Sequence, residues 1–522
     1  MGQVDILGTP MASKIYSAAL HGINAKIVEV ECDLAPGLFN FSIVGLPDAA
    51  VKESKDRVSA ALKNSGASPP SRRNKRVTVN LAPADLKKEG PAYDLPIALG
   101  YLLVSDQIKF DPEKKLFAGE LALDGGLRPV SGVLSIVIEA KNRGFKTVFI
   151  PKTNAAEASL VRDIEIIGAN NLVEIFEHLE NKKIISPHLN SDLESEFTKN
   201  SESEAEIDLA LIRGQEKAKR VLEIAAAGNH NIIMSGPPGS GKTLLAKALA
   251  SILPKLNLEE AIEVMRIWSV AGLLKEDKSL LYKRPFRAPH HTASGISLVG
   301  GGAWPRPGEI SLSHRGVLFL DEFPEFSRDV LENLRQPLEE SHVTVSRAQG
   351  SITFPAQFLM VASMNPCPCG YLNDSLKECV CAPSQIIKYK RKLSGPLIDR
   401  IDLHVEVPRL KYEEMSYEPA GETSKAVRKR VEKARAIAAS RFSNDNILTN
   451  REMSVRHIKK YCQLDEKAEK MMKNAVSGMG LSTRTYHRLL KISRTIADLE
   501  SSENIKPDHL GEALQYRPRE EV

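Results

Sequence analysis

A chain of 522 residues is too long for one hydrophobic core and, at roughly 100–200 residues per domain, predicts about three folded units. Its 42% hydrophobic and 26% charged residues exclude wholesale disorder, and no apolar run reaches the ~20 residues that a membrane-spanning helix needs. The net charge of +5 is too mild to imply a polyanionic partner by itself, so nucleic-acid affinity would have to come from local patches.

The first dozen residues lack the basic flank and unbroken apolar stretch of a secretory signal, and Ile6 stands where a myristoylation pattern wants Ser or Thr. The expected location is the cytoplasm. Residues 26–34 and 76–81 alternate or are β-branched and predict strands; 49–66 and 134–144 carry helical periodicity that stops at glycine. Residues 1–189 therefore read as an α+β or α/β domain. The Ser-, Glu- and Asn-rich stretch 190–207 reads as a linker, 208–406 as a second α/β domain, and 407–522 as a helical domain rich in Lys and Arg from Ser424 onward.

The central domain carries the chemistry. A short apolar strand, 231–235, leads into Gly236-Pro237-Pro238-Gly239-Ser240-Gly241-Lys242-Thr243 and then into a helical stretch. Strand, glycine-rich loop and helix in this order form a phosphate-binding loop, because backbone N–H groups at a helix N-terminus converge on the anion. Lys242 is expected to reach the β- and γ-phosphates of ATP, and the Thr243 hydroxyl to bind Mg²⁺. About eighty residues on, the apolar run 316–320 ends in Asp321 and Glu322, the pattern of a Walker B strand. Asp321 is expected to hold Mg²⁺ through water and Glu322 to activate the attacking water. A further strand, 358–363, ends near Asn365, whose amide suits the γ-phosphate or its water.

Asn365 in this place resembles sensor 1 of the AAA+ superfamily, and Gly395-Pro396-Leu397-Ile398-Asp399-Arg400-Ile401-Asp402 resembles the arginine-finger segment of its magnesium-chelatase and MCM branch. The resemblance implies that Arg400 reaches the ATP of a neighbouring subunit, in a hexamer. Residues 481–488 resemble sensor 2, with Arg484 the first candidate and Arg488 the second. Residues 208–215, Arg287-Ala288-Pro289-His290-His291-Thr292, the turn 300–302 and Asn365-Pro366-Cys367-Pro368-Cys369-Gly370 resemble the ComM (YifB) family over nearly the whole chain. That family implies a hexameric motor driving DNA branch migration in natural transformation. The alternative is a chelatase-type ATPase that remodels a protein partner and does not act on DNA.

Residues 117–123 and 148–152 are similar to the proteolytic domain of Lon, but Ala92 and Leu134 fall where Lon has its serine and lysine, so peptidase chemistry by that dyad is excluded. The basic stretch 72–76 reads as a phosphate contact or a solvated loop. Cys367, Cys369, Cys379 and Cys381 form two close pairs within 367–381; four thiolates suit one structural Zn²⁺, with free thiols or a redox pair as the other readings. Residues 284–313 are rich in Gly, Pro, Arg and His, and the chelatase–MCM likeness implies a hairpin there that enters a pore. Arg284, Arg287 and Arg306 would then follow a phosphate backbone and Trp304 would stack on a base, or else Trp304 is half-buried in a structural hairpin. Arg347 reads as a second pore residue. His290 and His291, adjacent in an extended chain, are expected to face different ways and to share no metal.

Overall fold

The computed structural model describes residues 12–72, 74–188, 207–274, 282–302, 306–347, 350–374, 376–410, 421–445 and 447–518. The linker read over 190–207 lies outside them apart from Ile207, as do Trp304 and the Arg347 side chain. Two units are formed: residues 1–200 with 258–281, and residues 201–257 with 282–522.

The first unit is built on a seven-stranded sheet in the order β3-β4-β2-β1-β5-β8-β9. Its strands are β1 (Ala12–His21), β2 (Asn24–Pro36), β3 (Asn40–Val44), β4 (Lys75–Ala82), β5 (Lys115–Phe117), β8 (Thr147–Pro151) and β9 (Glu165–Ala169); β6 (Glu120–Leu121) and β7 (Leu127–Arg128) make a separate small hairpin. Alternation along the strands feeds two cores, one on each face. Leu116, Val148, Ile150 and Ile166 meet the helix Val133–Asn142, while Phe117, Phe149 and Ile167 share a core with the helices Ala49–Asn64 and Asp94–Val104. The expected strands and helices all form here.

Less expected is the helix Leu258–Ala271, which sits between motor segments in sequence yet belongs to this unit. Ser269 accepts from Gly132 N at 3.1 Å through its carbonyl and donates its hydroxyl to the half-buried Glu157, while Arg266 reaches Asn24 Oδ1 at 2.9 Å. Burial raises the Glu157 carboxyl above its usual range, against the pull of Ser269 and Leu134 N. Ala92 lies in the turn Pro91–Tyr93 and Leu134 is fully buried in its helix.

The second unit has a parallel five-stranded sheet in the order β11-β14-β17-β10-β18. These are β10 (Ile232–Ser235), β11 (Phe286–Arg287), β14 (Val317–Leu320), β17 (Leu359–Met364) and β18 (Leu403–Glu406). Two hairpins interrupt it: β12 (Gly300–Gly301) with β13 (Arg306–Pro307), and β15 (His342–Arg347) with β16 (Gly350–Pro355). Every residue of β14 is buried, which explains its unbroken apolar sequence.

The C-terminal helices build on the sheet's core. Val427, Val431 and Ala434 of the helix Ser424–Arg441, with Ile492 and Ile496 of Thr483–Leu499, join Leu222, Leu245 and Leu249 in one cluster. Each of the Val, Leu and Ile side chains contributes about 1.5–3 kcal/mol when fully buried. The charges of Ser424–Arg441 are put to use. Arg428 and Arg435 donate to the carbonyls of Ser251 and Ala226, and Arg430 pairs with Glu223 at 2.6 Å.

Candidate nucleotide site

β10, β14 and β17 run parallel, so the loops at their C-terminal ends meet along one edge of the sheet. The loop after β10 holds Gly239 and Gly241 at φ of +77° and +91°, a backbone that side chains with a Cβ resist, before the helix Lys242–Ile252 begins. Lys242 folds back along this loop: its Nζ donates to Gly236 O at 2.7 Å, Pro237 O at 2.9 Å and Asn365 Oδ1 at 3.4 Å. Burial lowers its ammonium pKa, while Asp321 and Glu322 pull it back up. An arriving polyphosphate would relieve that burial cost by supplying anionic oxygens.

Thr243 Oγ1 donates to Asp321 Oδ2 at 3.1 Å, and Ser363 donates to Asp321 Oδ1. The two groups expected to hold Mg²⁺ therefore already face each other, a hydroxyl and a carboxylate that suit a hard, oxygen-seeking cation. Glu322 follows at φ +51°, its N–H bonded to Asp321 Oδ1 at 3.0 Å. Its carboxylate meets His291 Nδ1 at 3.1 Å. The sequence predicts that the two histidines face different ways and share no metal; instead of diverging, their rings lie 4.1 Å apart, because the chain turns at 291–292 and is not extended there. Only the fold brings a residue after β11 to the end of β14.

The four cysteine sulfurs all lie within 4.8 Å of one another, with Cys367 at 3.4 Å from Cys369 and 3.6 Å from Cys379. A tetrahedral zinc with Zn–S bonds of about 2.3 Å would separate its sulfurs by about 3.8 Å, so the cluster fits such an ion. Gly370 packs this insert on the phosphate-binding loop: a Cβ added to it would stand 2.6 Å from Pro238 Cδ. Asp374 ties the far side of the insert to Arg409 at 3.4 Å.

The candidate arginines lie elsewhere. Asn231, at the start of β10, accepts from Asp402 N at 3.1 Å through its carbonyl and gives its amide to Arg400 O at 3.1 Å, which places Arg400 at the opposite, N-terminal edge of the sheet. Its side chain pairs with Glu339 at 2.6 Å, and Arg484 reaches the same oxygen at 2.5 Å. Arg488 is buried, donating to Ile401 O at 2.6 Å beside the Arg400 segment. Of the arginines expected to track a phosphate backbone, Arg284 is held by the carbonyls of Pro254 and Arg315, and Arg287 by both oxygens of Glu309 at 2.6 and 2.7 Å. Arg306, on β13, is exposed.

Residues 208–415 match the family described as "Magnesium chelatase, subunit ChlI", residues 30–154 "Subunit ChlI of Mg-chelatase" and residues 421–517 "Magnesium chelatase, subunit ChlI C-terminal". The competence protein ComM of Haemophilus influenzae is 45% identical over 96% of this chain and 97% of its own length. The chain belongs to the ComM (YifB) family. YifB of Salmonella typhimurium (42% identical, 96% of each chain) and YifB of Escherichia coli (41%, 97% of each) are further relatives, neither with an assigned role. Membership extends over both units, so the first unit and the helix Leu258–Ala271 belong to the family's architecture.

Proposed function

We propose that this ComM-family chain is a Mg²⁺-dependent ATPase that works as a homo-hexamer and moves DNA in branch migration during competence-linked recombination. Lys242 neutralises the β- and γ-phosphates, loop N–H groups from residues 236–243 cradle them, and Thr243 and Asp321 hold the Mg²⁺. A Mg²⁺ held by these two residues would supply positive charge to offset the charge that develops on the phosphates. Asn365 orients the attacking water and Glu322 takes its proton, with His291 fixing the direction of the carboxylate. Cys367, Cys369, Cys379 and Cys381 would hold a structural zinc, which would supply a cross-link fastening the insert against Pro238 and the Asn365 turn.

The observation that carries the multi-subunit reading is the position of Arg400. It starts from the N-terminal edge of a parallel sheet whose C-terminal edge holds Lys242, Asp321 and Asn365. A four-residue strand such as β10 separates those edges by about 13 Å. An arginine there serves a nucleotide presented by another subunit, and Arg484, on the same Glu339 oxygen, serves it too. Arg488 braces the segment through backbone carbonyls.

DNA enters this reading through the competence protein's name and through the exposed Arg306, Arg72, Lys75 and Arg76; Lys75 pairs with Pro36 and Arg76 with Asn40, on either side of the exposed Leu38 and Phe39 at the turn joining β2 to β3. The protein-remodelling alternative gains from Arg284 and Arg287, which are engaged within the chain. The deciding experiment is ATP hydrolysis with and without single-stranded and branched DNA, alongside Glu322→Gln. Strong stimulation by DNA that vanishes in Glu322→Gln is expected; hydrolysis indifferent to DNA would favour a protein partner.

A further inference from the structure

Glu339 is the penultimate residue of the helix Arg335–Glu340 and lies outside the nucleotide-loop, Walker B and sensor segments. One of its oxygens, Oε1, takes Nη2 of Arg400 at 2.6 Å and Nη2 of Arg484 at 2.5 Å. The two arginines come from segments 84 residues apart, and this carboxylate is what they share. They hold the Glu339 carboxyl below its usual range, Arg400 most strongly.

The fit is incomplete on the arginine side. Arg400 is about one-tenth exposed, its Nη1 turns to Pro396 O, and its Nε is buried without a hydrogen bond. A guanidinium offers five donors in a planar fork, and one carboxylate oxygen uses a single one of them. An anion with three terminal oxygens would serve Nη2 of Arg400 and Nη2 of Arg484 together, each on an oxygen of its own. That is the chemistry of a terminal phosphate.

The helix bearing Glu339 also leads somewhere. After Ser341 the chain enters the β15–β16 hairpin, and Ala356 N returns to Ser341 O at 2.9 Å to close it. Arg451 grips Leu338 O at 2.9 Å and lies 3.5 Å from Asp402, next to the Arg400 segment. The hairpin's base and the arginine pair are thus fastened to the same short helix.

We propose that Glu339 is a built-in substitute for phosphate. In the unassembled chain its carboxylate occupies the Arg400–Arg484 pair, and the γ-phosphate of ATP on a neighbouring subunit takes its place when the ring forms. Glu339 thereby sets the protein concentration at which subunits assemble on ATP. The inference rests on the reading that Arg400 and Arg484 act on a neighbour's nucleotide.

The test uses the full chain carrying Glu322→Gln, so that ATP persists, and follows assembly with ATP and Mg²⁺ by sedimentation velocity over a range of protein concentrations. Adding Glu339→Gln should lower the assembly midpoint at least threefold, and Glu339→Ala should do the same. Glu340→Gln, whose carboxylate contacts only Gln336 and His342 among the described residues, should leave it unchanged. Arg400→Ala added to Glu339→Gln should erase the gain, which a general loosening of the helix would not do. An unmoved or raised midpoint in both Glu339 variants overturns the proposal while leaving the trans reading intact. A chain that binds ATP and never assembles overturns the trans reading, and this inference with it.

Discussion

Glu322 holds a left-handed backbone, φ +51°, that costs a residue with a Cβ on the order of 1 kcal/mol or more. Two contacts keep it there: Asp321 Oδ1 on its N–H and His291 Nδ1 at 3.1 Å from its carboxylate. Strain held in place beside a nucleotide loop fits a carboxylate that must point one way to act as a base. Removing the imidazole with His291→Ala should therefore lower kcat for ATP hydrolysis about three- to tenfold with KM little changed, a loss of about 1 kcal/mol felt only in the transition state. Steady-state phosphate release over a range of ATP concentrations checks this; a raised KM at constant kcat would mean that His291 contacts the nucleotide instead. The positions of Lys242, Thr243, Asp321 and Glu322 were legible in the sequence because spacing within a strand, loop and helix places them locally at one end of the sheet. His291 was not, because its partner lies 31 positions away and adjacency in sequence suggested the wrong direction for its ring.

At the scale of elements, the cysteine insert buries little apolar surface and leaves Leu376 and Val380 exposed, so a metal cross-link would be its natural source of order. Elemental analysis should find about one zinc per chain. Chelation should lower the thermal midpoint and weaken ATP binding severalfold, because Gly370 of the insert packs against Pro238 of the phosphate-binding loop. Gly370→Val should weaken ATP binding with zinc retained, as its side chain would collide with Pro238; φ at this residue is +85°, which adds strain. A metal-free, folded chain with full ATP affinity would remove the zinc reading. The close cysteine pairs were visible in the sequence, but their contact with the nucleotide loop was not, since it depends on β10 and β17 being neighbours in the sheet.

Over the whole molecule, the C-terminal helices and the parallel sheet share one core, and titration of that core couples them. His404 in β18 gives its backbone N–H to Tyr516 O at 2.8 Å, and burial together with Arg488 lowers its imidazole pKa to about 4, against weaker upward pulls from the Ile401 backbone and Asp402. A histidine depressed in the fold binds its proton more readily when unfolded, so its contribution is complete above about pH 6.5 and is lost as pH falls from there through about 4. The full loss should amount to about 3 kcal/mol. Thermal unfolding between pH 7 and 4.5 should show the fall, and His404→Gln should flatten it; equal slopes would assign the acid sensitivity to other groups.

What the sequence determined by itself is local chemistry. The loop 236–243, the acidic end of β14, the polar residue after β17 and the paired cysteines are short-range patterns, and residue type with spacing is enough to read them. The strands and helices of the first unit were legible for the same reason, since alternation and helical periodicity reflect which face is buried. Tertiary structure alone decided how these pieces meet. It assigned Leu258–Ala271 to the first unit, engaged Arg284 and Arg287 inside the chain, and set Arg400 at the edge of the sheet away from Lys242. It also brought Arg400, Arg484 and Glu339 together. The physical reason is that a charged side chain finds its partner through the packing of distant elements, and the pattern of its neighbours in sequence carries no record of that partner.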